Sequence, residues 1–131
     1  MIYLINGDTF TGKTTYLRKY MKEHPQKSSR YMTDEEWTEL LVACAHESDS
    51  EEKLIDMLSN ELRRFDIVCI DNIDFISGKH AMQEITAKTI LILNDRIEFF
   101  LSGINLKRNL TTMFNVFEVQ GVSVISINYN E

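Results

Sequence analysis

The chain has 131 residues, the apolar content of an average globular protein and a formal net charge of −6, which predict one folded domain over residues 1–131 and exclude a disordered chain. It has no recognisable signal peptide or membrane-spanning apolar run, so we expect a cytoplasmic protein. Cys44 and Cys69 lack metal-ligand spacing, and we expect both thiols to be buried and reduced. Residues 34–62 carry ten acidic residues against Lys53 alone, most simply a solvated helical face, and this charge disfavours autonomous nucleic-acid binding.

The first predicted elements enclose a phosphate-binding loop. The apolar run Ile2–Ile5 predicts a strand, and the stretch from Lys13 to Tyr20 predicts a helix. Between them lies the Walker A pattern G-x-x-x-x-G-K-[ST], and the residues expected to contact a nucleotide are Gly7, Asp8, Thr9, Phe10, Thr11, Gly12, Lys13, Thr14 and Thr15. Main-chain N–H groups of such a loop bind phosphate oxygens, while Lys13 reaches the β- and γ-phosphates and the Thr14 hydroxyl binds Mg²⁺. An ordinary glycine-rich turn is the alternative, but the strand and helix on either side favour nucleoside-triphosphate binding.

The rest of the chain alternates between strands and helices. Arg30–Thr33 predicts a second strand, and Thr33 with Glu36 forms a capping-box pattern that starts a helix. Further helices are predicted for residues 51–64, 80–95 and 110–117, and further strands for residues 65–71, 98–102 and 122–127. This alternation predicts an α/β fold: a three-layer P-loop NTPase sandwich with a five-stranded parallel sheet and helices on both faces. Ligands of such sheets bind at the carboxyl ends of the strands.

The third predicted strand ends in a Walker B-type acid, Asp71. With a phosphate loop upstream, we expect Asp71 to hold Mg²⁺ directly or through water, although an apolar strand can also end at an ordinary turn aspartate. Asn72 follows, where many P-loop ATPases have a second carboxylate that polarises the attacking water. An amide cannot accept a proton, so Asn72 can orient water but cannot act as the general base. Asp74 replaces that base only if the loop bends inward, and a turn residue is the simpler interpretation. We therefore expect slow hydrolysis.

Two segments resemble the ATPase core of the bacterial replication initiator DnaA and its AAA+ relatives, the regulator Hda and the DnaC-type helicase loaders. Residues 30–38 read RYMTDEEWT and are similar to the family pattern Y-[VM]-T-x-E-x-[FW]. Residues 66–79 read DIVCIDNIDFISGK, followed by Gln83-Glu84, and resemble D-x-L-L-I-D-D-I-Q-F-x-x-G-K with its later Q-E. The resemblance covers almost the whole chain. It implies an AAA+ core that binds ATP and Mg²⁺ and is linked to DNA replication.

The resemblance also assigns further catalytic positions, and some of them differ here. Sensor 1 of the family is a polar residue at the tip of the fourth strand, for which Ser102 is the nearest match and Asn105 a weaker one. Val116 stands where the family has its arginine finger, a large contribution to rate. Lys107 and Arg108 are the nearby replacements, although exposed helix-start charges are the simpler interpretation.

The extent of the chain limits what the resemblance implies. The chain begins at the first strand and ends at the fifth, so we expect it to lack the segment that encloses adenine, the lid with sensor 2 and the DNA-binding domain of initiators. Triphosphate affinity should therefore be modest, and the choice between ATP and GTP stays open.

The leading hypothesis is an ATP- and Mg²⁺-binding regulatory or adaptor module that hydrolyses slowly or not at all. It would contact a AAA+ or replication protein or a second copy of itself, and no membrane. One alternative is an active AAA+ ATPase or helicase loader acting on DNA. Another is a small P-loop phosphotransferase, for which Arg96, Lys107 and Arg108 are the available phosphate-closing groups. A last alternative is a relic that keeps the loop for folding alone.

Overall fold

A computed structural model describes residues 1–7 and 12–128. The strands are β1 Ile2–Asn6, β2 Ser29–Thr33, β3 Ile67–Asp71, β4 Glu98–Gly103 and β5 Val124–Asn128. The helices are α1 Lys13–Glu23, α2 Asp34–His46, α3 Glu51–Leu62, α4 His80–Leu93, α5 Leu106–Asn109 and α6 Thr111–Val119, and a short 3₁₀ helix spans Ile73–Ile76.

The five strands form one parallel sheet in the order β2-β3-β4-β1-β5. All five residues of β3 are buried, as expected of an inner strand covered on both faces. Since every pair is parallel, the carboxyl ends of the strands meet at one edge of the sheet. The predicted α/β sandwich, with its phosphate-loop strand β1 inside the sheet, is confirmed.

The two faces of the sheet are covered unequally. One face packs on the smaller of two hydrophobic clusters, where α1 is the helix that covers it through Leu17, Tyr20 and Met21. The other face carries the larger cluster, to which α2, α3, α4, α5 and α6 contribute. Helices thus lie on both faces, as predicted. Both elements that flank the phosphate-loop segment contribute to the smaller cluster, β1 through Ile5 and α1 through Leu17.

Local sequence signals account for several of the observed boundaries. The Thr33 hydroxyl accepts the N–H of Glu36 at 3.2 Å, and the Glu36 carboxylate accepts the N–H of Thr33 at 3.1 Å, so the predicted capping box begins α2. The Ser50 hydroxyl caps α3 by accepting the N–H of Lys53. Sequence periodicity did not reveal α5, because a four-residue helix is too short to repeat a hydrophobic face.

The remaining expectations concern the cysteines and the membrane. Cys44 and Cys69 are buried free thiols, and burial raises the pKa of both, to about 12 for Cys69. Within residues 1–7 and 12–128, no helix combines the length and apolarity needed to cross a bilayer.

Candidate functional site

The candidate site is built at the carboxyl edge of the sheet. Parallel registers place Asn6 beside Gly103 and Thr33 beside Asp71, so the ends of four strands lie in one row. The N–H of Gly7 donates to the Gly103 carbonyl at 3.1 Å. These contacts fix the start of the phosphate loop against the tip of β4.

The described ends of the phosphate loop come together around Lys13. Gly12 has φ 96°, the left-handed conformation that glycine adopts without strain, and it caps α1. The buried Lys13 ammonium donates to the Gly7 carbonyl at 2.6 Å, which brings the two ends of the motif together. Asp8, Thr9, Phe10 and Thr11, which we predicted to contact phosphate, lie outside the described residues.

Asp71 is the centre of a hydroxyl network. The Thr14 hydroxyl donates to Asp71 Oδ2 at 2.5 Å, across 57 positions of sequence. The Tyr31 hydroxyl donates to the same oxygen, and the Ser102 hydroxyl donates to Oδ1. Only 2% of the Asp71 surface is exposed. Three hydroxyl groups from α1, β2 and β4 therefore hold one nearly buried carboxylate beside the end of the phosphate loop.

This network determines the protonation states at the site. Burial acts to raise the pKa of Asp71, but the hydrogen bonds from Ser102, Thr14 and Tyr31 together hold that pKa below its ordinary value, so the carboxylate is charged near neutral pH. Burial, followed by the hydrogen bond to Asp71, raises the pKa of Tyr31 to about 12, so the phenol keeps its proton and remains a donor.

Asn72 and Asp74 differ in burial. Asn72 is exposed, has φ 58°, and donates its main-chain N–H to the Ser102 hydroxyl at 3.1 Å. Asp74 lies on the 3₁₀ helix and is half-buried. Its Oδ1 atom is buried and makes no hydrogen bond within the described residues, and a Cβ atom built on Gly103 would lie 2.4 Å from it. The Asp74 side chain therefore turns toward the tip of β4.

The other predicted positions do not join this cluster through any contact among the described residues. Thr15 is exposed on α1, and Asn105 is exposed at the start of α5. Lys107 and Arg108 are exposed on α5, while Val116 lies on α6 and packs against the larger hydrophobic cluster. The valine side chain offers no charge to a phosphate group.

The donor set of the cluster is of the type that binds hard divalent cations. The Thr14 hydroxyl and the Asp71 carboxylate are hard oxygen donors, the type that Mg²⁺ takes in proteins. No group of three or more His, Cys, Asp or Glu residues able to hold a metal occurs within residues 1–7 and 12–128. Because protein-bound Mg²⁺ commonly takes one or two protein oxygens together with substrate phosphates and water, this partial set fits Mg²⁺ that arrives with a nucleotide.

Sequence reasoning missed two residues of the site. Tyr31 was assigned to a strand and to the family pattern but given no role in the site, although its position two residues before Thr33 places it on the face of β2 that can reach Asp71. Asn6 accepts the N–H of Leu106 through Oδ1 at 3.0 Å and so ties β1 to the start of α5. The available signal in the sequence was that Asn6 is a polar residue directly before the phosphate loop.

A groove of about 660 Å³ lies away from this site, between α3 and α4. Its apolar lining comes from Ile55, Leu91 and Ile92, and its polar lining from Glu51, Glu52, Asp56, Lys88 and Gln120. Lys88 is paired with Glu51 at 2.7 Å and with Glu84 at 2.8 Å, so the groove is acidic overall. It offers no set of cations for a triphosphate.

Comparison with known proteins agrees with the resemblance in the sequence. The model of the bacterial DnaA ATPase domain matches residues 2–116. The chain belongs to this family. A curated relative, the chromosomal replication initiator DnaA of Zymomonas mobilis, is 32% identical over 82 residues, which are 60% of this chain and 16% of that protein. The chain thus spans a small part of the curated relative that it matches.

Solved structures of the family share the fold. Domain III of DnaA from Thermotoga maritima matches with a TM-score of 0.71 and 21% identity, over 96% of this chain and 54% of that one. AMPPCP-bound DnaA from Aquifex aeolicus matches with a TM-score of 0.66 and 17% identity, over 96% of this chain and 39% of that one. A DnaA bound to AMPPCP and single-stranded DNA matches with a TM-score of 0.70 and 18% identity, over 96% and 40% of the two chains. The predicted DnaA-like core is confirmed.

Proposed function

We propose that this chain binds ATP with Mg²⁺ and acts as a nucleotide-dependent regulatory or adaptor module linked to DNA replication. The observation that carries the proposal is the 2.5 Å hydrogen bond from Thr14 to Asp71, made by the residue that follows Lys13, whose ammonium contacts the Gly7 carbonyl at the start of the motif. An adenine nucleotide is the proposed ligand because two of the family members described above were solved with AMPPCP bound. The link to replication is inferred from the family.

In this proposal each residue of the cluster has a separate task. Lys13 neutralises the β- and γ-phosphates, and the main-chain N–H groups of the loop bind their oxygens. Thr14 and Asp71 hold Mg²⁺, which supplies charge neutralisation between the phosphates. Ser102 fixes the direction of the Asp71 carboxylate and of the turn that follows it, because its hydroxyl contacts both.

We further propose that hydrolysis is slow or absent. Asn72 cannot take a proton from water, and Val116 provides no cation at the arginine-finger position. An arginine finger contributes a factor of about 10³ to 10⁵ to turnover in P-loop enzymes. Its replacement by valine therefore favours a nucleotide-dependent regulatory module over an active ATPase. Steady-state phosphate release tests this: turnover that is fast, and stimulated by single-stranded DNA, would instead support the helicase-loader alternative.

The partner is proposed to be a AAA+ or replication protein, or a second copy of the chain, rather than free nucleic acid. The acidic groove lined by Glu51, Glu52 and Asp56 supports this choice, since nucleic-acid phosphates need basic groups for neutralisation. One family member has been solved with single-stranded DNA, so binding of an oligonucleotide at low salt is the measurement that tests it.

Calorimetric titration with a non-hydrolysable ATP analogue and Mg²⁺ tests the nucleotide site. Lys13→Ala should lower the affinity at least about tenfold, because a charge-assisted contact with phosphate is lost. Lys19→Ala is the matched control, since it removes an exposed lysine of the same helix whose partner is Glu23. Equal affinities for the two variants, or no binding by the unchanged chain, would contradict the proposal. The same titration with a GTP analogue decides which base is preferred.

A further inference from the structure

The hydroxyl groups around Asp71 are more numerous than a magnesium-binding carboxylate requires. Asp71 Oδ2 accepts both the Thr14 hydroxyl and the Tyr31 hydroxyl, while Oδ1 accepts the fully buried Ser102 hydroxyl. A carboxylate oxygen has about two lone-pair directions. Both directions of Oδ2 are therefore taken by protein donors.

The three donors differ in what they leave available to a metal. A hydroxyl that donates its proton keeps lone pairs, so Thr14 can hydrogen-bond to Asp71 and still offer oxygen to Mg²⁺. Ser102 lies on the buried side, where its hydroxyl also accepts the N–H of Asn72. Tyr31 is the remaining donor on Oδ2, the oxygen that Asp71 shares with Thr14. A metal or a metal-bound water that needs this oxygen must displace the phenol.

The Tyr31 ring is also held in place from its face. The guanidinium carbon of Arg18, on α1, lies 5.0 Å from the centroid of the ring. This distance is within the range of cation–π attraction. The contact links the same helix that carries Lys13 and Thr14 to the strand that carries Tyr31. The phenol is thus aimed at Asp71 by packing as well as by its hydrogen bond.

We propose that Tyr31 is a latch on the metal site: its phenol competes with Mg²⁺ for Asp71 Oδ2. This competition raises the Mg²⁺ concentration that is needed for Mg²⁺-dependent binding of the nucleotide. The proposal rests on the proposed function, because it concerns Mg²⁺ bound together with a nucleotide. It makes Tyr31 a residue that acts through Asp71. Removal of its hydroxyl should strengthen the Mg²⁺-dependent part of binding and leave the Mg²⁺-independent part unchanged.

Tyr31→Phe tests the latch with little structural change, since the ring and its face contact with Arg18 are kept and only the hydroxyl, which interacts with both Asp71 and Arg18, is removed. Affinity for a non-hydrolysable ATP analogue is measured by calorimetry in EDTA and over a series of Mg²⁺ concentrations. The variant should reach half of its Mg²⁺-dependent gain at a concentration about tenfold lower than the unchanged chain, a factor typical of a hydrogen bond to a charged group. Its affinity in EDTA should equal that of the unchanged chain.

Tyr20→Phe is the matched control. Its phenol donates to the Glu98 carboxylate at 3.0 Å, so this variant also loses a tyrosine–carboxylate hydrogen bond, but at the start of β4, the opposite end of that strand from Ser102. Its Mg²⁺ midpoint should not move. A midpoint in Tyr31→Phe that is unchanged or higher would overturn the latch alone, because nucleotide binding itself persists. Failure of the unchanged chain to bind the analogue under any condition would overturn the proposed function and the latch with it.

Discussion

Replacement of Ser102 by alanine gives the sharpest test of how the Asp71 cluster is held together. Ser102 is fully buried, and its single hydroxyl donates to Asp71 Oδ1 and accepts the N–H of Asn72 at 3.1 Å. The alanine variant removes one oxygen atom and leaves almost no cavity. The loss of stability therefore reports on the two hydrogen bonds rather than on packing.

The expected magnitude follows from what the variant leaves behind. A buried carboxylate oxygen without its donor costs about 1–3 kcal/mol, and the N–H of the exposed Asn72 adds up to about 1 kcal/mol. We therefore expect Ser102→Ala to lower the free energy of unfolding by about 2–4 kcal/mol. Urea denaturation near pH 7 measures this as a lower midpoint at an unchanged slope.

Ser59 offers an internal control of the same residue type and burial. It is fully buried on α3, and its hydroxyl makes no hydrogen bond within residues 1–7 and 12–128. Ser59→Ala should be neutral or slightly stabilising, since it removes a buried polar atom that lacks a partner. Equal losses in the two alanine variants would refute the reasoning, because burial alone would then explain both.

Two further perturbations test packing and charge elsewhere in the fold. Gly103→Ala should cost about 1–3 kcal/mol, because its Cβ would lie 2.4 Å from Asp74 Oδ1; thermal unfolding measures the loss, and Asp74→Ala should restore part of it. Burial acts to raise the pKa of Glu98, but hydrogen bonds from Lys27 and Tyr20 hold it below the ordinary value of 4.5. This stabilisation is present above that ordinary pKa and is lost as the pH falls through the lower folded-state pKa. Glu98→Gln should therefore lower the free energy of unfolding by about 1 kcal/mol at neutral pH. It should also make the free energy of unfolding fall less steeply as the pH is lowered.

The controls for these perturbations are specific. Additive effects of the Gly103 and Asp74 substitutions would contradict a contact between the two residues. Glu118 is exposed on α6 and makes no salt bridge or side-chain hydrogen bond within residues 1–7 and 12–128, so Glu118→Gln should leave the acid profile unchanged. A Glu98→Gln profile that falls as steeply in acid as that of the unchanged chain would contradict the proposed stabilisation.

Sequence reasoning reached the parts of the site that local patterns encode. The spacing from Gly7 to Thr14 and the apolar strand that ends at Asp71 are each readable within one short segment, and the capping box at Thr33 is equally local. The parallel sheet followed from the alternation of strands and helices. These features depend on neighbours in sequence.

The rest of the site depends on contacts between distant segments. Tyr31 meets Asp71 across 40 positions, and Ser102 meets it across 31, through the registers of β2 and β4 against β3. Ser102 was predicted as a sensor at the strand tip, and the structure buries it beneath Asp71, where its hydroxyl contacts both the carboxylate and the following turn. Strand register sets such pairs, and a single strand does not encode it.

A crystal structure of the chain with a non-hydrolysable ATP analogue and Mg²⁺ tests the central claim most directly. We expect the β- and γ-phosphates next to the Lys13 ammonium, and the metal between the Thr14 hydroxyl and the Asp71 carboxylate. Triphosphate density remote from Lys13, or a nucleotide seated in the acidic groove between α3 and α4, would contradict it.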